Sequence, residues 1–477
     1  MSDTRGLLDR ITAFRLRLEA SGAPVTEALE PGEAIPVLVE AESFRQHLRQ
    51  IAPPDVDEGP PAPQLTDRAR GLLLAAKELL SRQWAFASDP LFAAIAAEGS
   101  DPLAPYHQET VAFLDSAVRL ARTLPDSPSA QLKQCTGLEG LLGVIRERLA
   151  VQERALTHRR NDADRIDRLA SVYAAMAAGA PVGLPAVATL AEEILDDACH
   201  ARPIRFVHAA VNSTGAYSEA APLSPPARFA AAHAVNVAQI VARLVPFDAE
   251  WSSHPLLAVL AALLIDCGMM TVPVAVLARA GELTPTERRL VDAHAQAGAE
   301  LILRWFPAVA PLAAAVAAHH ERADGTGYPA GLRGTTIPAL GRLLAVADVY
   351  AALSEPRPHR AARDGRAALT EILLAAEHGI LDRDYAAHLV RLSFYPVGTV
   401  VELTDGRSGV VVANHPNPDD PRAPGRPVVA VLASAVGELL PHPEHVDLSS
   451  ADRGGILRAL PAPRRRELLG HRYPDLV

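Results

Sequence analysis

Apolar positions along this chain recur at intervals of three and four residues for most of its length, and switch to runs of β-branched residues only near the end. Leu7, Leu8, Ile11, Phe14 and Leu18 keep the helical spacing. A second short helix is predicted over residues 41–51. Pro53, Pro54, Pro60, Pro61 and Pro63 mark 52–65 as a linker or extended loop. Thr66 is read as the cap of a helix running to Gln83, and another helix is predicted near 108–122. From Leu138 to about Ala178 the pattern fits one long helix. Leu142, Ile145, Leu149 and Leu156 hold the stripe, Gln152 interrupts it, and Ile166, Leu169, Tyr173 and Met176 resume it. The heptads are too few for a clean coiled coil, so a bundle helix is the expectation. The basic patch Arg154, His158, Arg159 and Arg160 reads as a solvated face.

Residues 203–392 are again helical and rich in Ala and Leu. Beyond Tyr395, the β-branched runs 399–403 and 409–414 flank Thr404-Asp405-Gly406-Arg407, a hairpin signal. A Pro-rich loop leads to a third run, 428–432, and 445–448 completes a small barrel or sheet. The expected fold is mainly α, with an all-helical core, a helical N-terminal region and a small C-terminal β-barrel-like domain. The expected boundaries are 1–136 for the N-terminal region, 137–202 for a connector, 203–392 for the core, 393–450 for the β domain and 451–477 for a tail.

Charge narrows the function. With 46 basic and 56 acidic side chains the net charge is −10, which speaks against binding a nucleic-acid polymer electrostatically. Lys77 and Lys133 are the only lysines, so nearly all positive charge is guanidinium. Cys135, Cys199 and Cys267 form no CxxC pair and are too few for a disulfide framework. MSDTRGLLDR has no secretory apolar core, and the apolar run 306–318 is too short for a bilayer. A cytoplasmic protein with no membrane partner is the expectation.

The chemistry concentrates between His233 and Arg360. His233 lies on the amphipathic segment AAHAVNVAQIVARL, and Asp266 follows the apolar run AVLAALLID. His294 sits in DAHAQAGAEL, His319 and His320 are adjacent in AAHHERADGTGYP, and Asp348 ends LLAVAD. An unpaired carboxylate on an apolar helix is expensive to bury, whereas a divalent metal offsets the desolvation of imidazole and carboxylate ligands. Two such metals can clamp a phosphate for in-line attack.

These segments resemble a known family. HHERADGTGYPAGLRG is similar to the signature of the HD-GYP domain, followed by RLLAVADVYAAL and RPHR, with LLIDCGMMTVPVAVLARAGELTPTE upstream. The resemblance implies an all-helical, metal-dependent phosphohydrolase of bacterial signalling. Many family members cleave cyclic di-GMP, with iron or manganese as the usual metal. It also implies His233, Asp266, His294, His319, His320 and Asp348 as metal ligands, Asp266 being catalytic and bridging. Gly327, Tyr328 and Pro329 would shape the substrate loop, and Arg357 and Arg360 would hold substrate phosphates. The implied partners are a cyclic dinucleotide and a second copy or another signalling protein.

The chain departs from the pattern at four positions. Ile265 replaces the histidine of the HD pair and has no lone pair to donate. Met269 stands where a lysine is usual, which removes a positive charge from the scissile phosphate. Phe229 replaces the glutamate of trinuclear members, which limits the expectation to two metals at most and leaves one or none open. Ala351 replaces the second aspartate of DVxDAL. Together these imply weakened or lost turnover, the alternative being an active phosphodiesterase on cyclic di-GMP or another phosphate ester.

Overall fold

The structure is a computed structural model. It describes residues 62–98, 103–122, 127–200, 225–277, 282–355, 365–392, 394–395, 397–415, 423–450 and 454–461, with a few single positions between and beyond them. The helices read from 7–18 and 41–51 lie outside these residues, as do Arg357 and Arg360. The described helices used below are α1 (Ala62–Ala87), α2 (Pro90–Glu98), α3 (Leu103–Arg122), α4 (Pro128–Ala177), α5 (Leu184–Cys199), α6 (Pro225–Leu244), α7 (Pro255–Leu263), α8 (Pro285–Asp292), α9 (His294–Trp305), α10 (Pro311–Ala317), α11 (Ala339–Ser354), α12 (Gly365–Glu377) and α13 (Arg383–Arg391). α1 starts before Thr66, because Pro63 falls in a first turn that has no use for its missing N–H.

Two compact units emerge. One combines the described parts of 1–78 with 115–144, the other 79–114 with 145–477. The division crosses the expected boundary at 136/137, since α4 is a single 50-residue helix passing through it. Within the first unit, Arg68 pairs with Glu139 at 2.5 Å.

In the second unit the residues expected to be a mere connector belong to the core. Ile166, Leu169, Tyr173 and Met176 of α4 pack in one apolar cluster with Val187, Leu190 and Ile194 of α5 and with the buried faces of α6, α7, α9, α10 and α11. The Tyr173 hydroxyl donates to the Leu263 carbonyl at 2.6 Å, and the Trp305 indole N–H donates to the Met176 carbonyl at 3.2 Å. The first satisfies a helix-end carbonyl, and the second adds to the bond that the Met176 carbonyl accepts from Gly179 N at 3.2 Å. Gln152 does not break the helix. It is fully buried, and its amide donates to the Thr110 hydroxyl at 2.6 Å, beside His107, whose pKa burial lowers to about 4. The basic patch is not a solvated face either: Arg159 is buried and Arg160 reaches Asp89 at 2.5 Å.

Alanine lets α6 sit at the centre of this core. Small side chains at 227, 230, 231, 232, 234 and 238 are all buried, so neighbouring helices approach closely. By length and mean hydropathy residues 226–247 would suit a membrane span, yet 83% of that window is buried inside the protein. Its apolarity is accounted for by a helix surrounded on all sides.

α7 ends in a turn at 264–266, followed by a 3₁₀ segment, Cys267–Thr271, that lies against α9. A Cβ on Gly268 would stand 2.0 Å from the His294 carbonyl oxygen and 2.5 Å from the Gly298 nitrogen. Glycine at 268 is therefore what lets the turn carrying Asp266 touch the helix carrying His294. α8 is set by a capping box, in which the Thr284 hydroxyl accepts from Glu287 N and the Glu287 carboxylate accepts from Thr284 N at 2.8 Å.

The C-terminal strands are β1 (Val400–Leu403), β2 (Ser408–Ala413), β3 (Val428–Ala433), β4 (Leu439–Asp447) and β5 (Ile456–Ala459), all neighbours antiparallel in the order β4-β3-β2-β1-β5. The expected barrel is corrected: among the described residues no ladder joins β4 to β5, so the sheet is open. The domain also runs past residue 450, since β5 pairs with β1 and Leu468 and Leu469 are buried against one face.

Gly268→Ala should lower unfolding stability by about 1–3 kcal/mol, because helix α9 must move to admit the methyl group. A urea denaturation midpoint equal to that of the parent chain would refute the close-approach account.

Candidate metal centre

Two histidines are aimed by the ends of the helices that precede them. His294 follows α8, and its Nδ1 lies 2.6 Å from the Val291 carbonyl oxygen; His319 follows α10, and its Nδ1 lies 2.5 Å from that of Val316. A carbonyl only accepts, so each Nδ1 carries the proton and donates it to a carbonyl at the helix end. The Nε2 lone pairs are thereby left to point inward, where they stand 3.4 Å apart. Asp266 Oδ1 lies 3.3 Å from His294 Nε2.

The second half of the site comes from α6, α11 and His320. His233 is on α6, with Nε2 2.8 Å from Asp348 Oδ1 on α11. The other Asp348 oxygen is 3.7 Å from His320 Nδ1. The His320 ring lies 3.9 Å from that of His319 and 5.0 Å from that of His294. All six residues expected as ligands thus converge through an unbroken series of contacts. One nitrogen each from His294, His319 and His320 falls within 4.8 Å of the others.

Electrostatics explain why this arrangement wants a cation. Burial disfavours the charged forms of both Asp266 and Asp348, yet the imidazoles around them hold both carboxyls far below the usual range. Burial also opposes charge on His294 and His233, but Asp266 raises the first and Glu355 with Asp348 raises the second. His319 is lowered to about 4 by burial and by His294, and His320 is lowered well below its usual value by burial and by His319. Neutral imidazole nitrogens beside ionised carboxylates are the donor set of a divalent transition metal. The residues present fit such a metal.

The glycine-rich loop is fastened to the ligands. A Cβ on Gly327 would meet Arg322 N at 2.3 Å and the His320 oxygen at 2.4 Å, and Tyr328 N donates to that same oxygen at 3.2 Å. The Tyr328–Pro329 bond is cis, and the Tyr328 ring lies 4.7 Å from that of His320. Glu321, the residue after the histidine pair, is buried. Its two oxygens accept from Ala330 N at 2.7 Å and Leu332 N at 2.9 Å, so it staples the loop and is spent as a ligand.

Sequence reasoning missed Glu355 and Asn236. Both oxygens of buried Glu355 lie 3.0–3.1 Å from His233 Nδ1, and Asn236 donates to Glu355 Oε1 at 2.7 Å. Spacing held the signal: Glu355 is two helical turns from Asp348, and Asn236 one turn from His233. Ile265 is fully buried within the apolar core, and Met269 packs partly buried against it.

Comparisons with known proteins agree with this geometry. Residues 217–385 match the family model described as HD domain, and residues 400–464 match a KOW domain associated with HD domain. Cyclic di-GMP phosphodiesterase PA4108 of Pseudomonas aeruginosa is 40% identical over 157 residues, 33% of this chain and 37% of that protein. 3′3′-cGAMP-specific phosphodiesterase 3 of Vibrio cholerae is 46% identical over 102 residues, 21% of this chain and 22% of that one. Cyclic di-GMP phosphodiesterase response regulator RpfG of Xanthomonas campestris is 41% identical over 123 residues, 26% of this chain and 32% of that one. The chain thus spans between about a fifth and two fifths of the length of these relatives. With the histidine pair, the GYP loop and the two aspartates gathered at one centre, residues 217–385 are an HD domain of the HD-GYP type within the HD phosphohydrolase superfamily.

Proposed function

We propose that this chain binds a divalent metal and a cyclic dinucleotide at the HD-GYP centre and hydrolyses the phosphodiester slowly. The observation that carries this reading is the convergence of the three inward imidazoles with Asp266 and Asp348. The naming of the relatives as cyclic dinucleotide phosphodiesterases supports the substrate class. Asp266, His294 and His319 would hold metal on one side, and His233, His320 and Asp348 on the other, with iron or manganese as the ion. Bound there, a divalent metal supplies Lewis-acid polarisation of a phosphoryl oxygen and of the attacking water. Asp266, ionised and beside His294, would orient that water. Tyr328, beside His320, would pack against a substrate base or ribose, and Arg357 and Arg360 would neutralise phosphates. The same reading makes this a cytoplasmic protein of bacterial cyclic-dinucleotide signalling, regulated through a second copy or a signalling partner.

Ile265 and Met269 favour weak turnover. The first adds no donor to the ligand set, and the second puts a thioether where a cation would steady the charge growing on phosphorus. The same two residues favour the second reading, a binding module that senses the dinucleotide without cleaving it.

Purified protein supplied with manganese should hold metal by elemental analysis, and His319→Ala should lose it. Absence of metal from the parent chain would defeat the hydrolytic reading and leave the sensor. Cyclic di-GMP should be linearised slowly by the parent and not by Asp266→Ala; no turnover with metal bound would select the sensor. Met269→Lys should raise the rate about 100–1,000-fold, the loss expected in reverse for a missing electrostatic stabiliser. An unchanged rate in that variant would show that Met269 does not limit turnover.

A further inference from the structure

His233 has a problem that His294 and His319 do not. Those two follow helix ends, where last-turn carbonyls receive their Nδ1 protons. His233 lies within the 20-residue helix α6, where backbone carbonyls are engaged by the helix itself. Its Nδ1 needs a side-chain acceptor from elsewhere, or the ring is free to turn and take the opposite tautomer.

We infer that Glu355, held by Asn236, is the positioning residue that fixes the tautomer and orientation of His233 and so makes this variant site competent for metal. The inference deepens the metal-binding reading above and rests on it for its consequence. Glu355 caps the end of α11, 122 positions from His233 in sequence, and offers both oxygens to Nδ1 at 3.0 and 3.1 Å. Asn236 aims the carboxylate from one turn further along α6, through a 2.7 Å bond. Helix α11 thus supplies an acceptor for each ring nitrogen of His233: Asp348 faces Nε2 and Glu355 faces Nδ1, seven residues apart on the same side.

Ala351 lies on that same side between them and is fully buried, a methyl group where the resemblance leads one to expect an aspartate. The carboxylate missing at 351 reappears one turn later, at 355. With the Nδ1 proton donated to Glu355, the Nε2 atom is the one left to face Asp348 and a cation. A carboxylate behind a ligand imidazole also makes it a better donor, and losing such a partner typically costs about 10–100-fold in metal affinity. In this way the chain retains a well-directed His233 although Ile265 contributes nothing.

The full chain tests this with Glu355→Gln, Glu355→Ala and Glu355→Asp, each checked for an unchanged helical circular dichroism spectrum. Manganese affinity, measured by competition with a chromophoric chelator, should fall about 10-fold in the glutamine variant, which keeps an acceptor but not the charge. It should fall about 100-fold in the alanine variant and recover in part with aspartate. Independently of metal, ¹⁵N spectra of the histidine rings should show the His233 Nδ1 proton in the parent and its loss in Glu355→Ala. An unaltered Nδ1 signal in that variant, or parental manganese affinity in the folded alanine variant, overturns the role of Glu355. A parent chain that binds no manganese while keeping its Nδ1 proton overturns the metal-binding reading and leaves the positioning of His233 standing.

Discussion

The helical core around α6 answers to one constraint: imidazoles and carboxylates have been carried among alanine-rich helices, where each must find a partner. Burying an ionised carboxylate unpaired costs more than a domain can ordinarily spare. The fold meets that cost with geometry. Helix ends at Val291 and Val316 take the Nδ1 protons of His294 and His319, and Glu355 does the same for His233. The inward nitrogens are then left for Asp266, Asp348 and a cation. Close backbone approach at Gly268 and Gly327 is part of the same solution, because larger residues would separate the ligands from the elements that aim them.

The site was far more legible in the sequence than its supports. Histidine and aspartate stand out on otherwise apolar helices, so the six candidate positions announce themselves by residue type. Glu355 does not, because a glutamate at the end of a helix, before a proline, reads as surface. Only the spacing to Asp348 distinguishes it, and spacing alone does not reveal that His233 lies opposite. Glu321 was noticed but its role as a staple was hidden, since backbone N–H groups leave no trace in composition.

The same blindness to partners explains the errors of fold. Arg159 and Arg160 resemble a solvated patch until Asp89 and the burial around 159 are known. Gln152 looks like a break in an apolar stripe until Thr110 accepts its amide proton. The β-branched runs correctly announced a sheet but not its edges. β5 has only four residues, one of them charged, and it pairs with β1 rather than closing on β4. Residues 137–202 looked like a connector because helical periodicity shows which face is apolar and not what covers it.

The staple at Glu321 couples two things that an enzyme usually varies separately. A loop whose backbone hangs from the residue after His320, and whose tyrosine nitrogen hangs from His320 itself, is tied at three points to the segment that carries that imidazole. Any substitution that reshapes 327–332 therefore bears on the placement of the His320 ring as well.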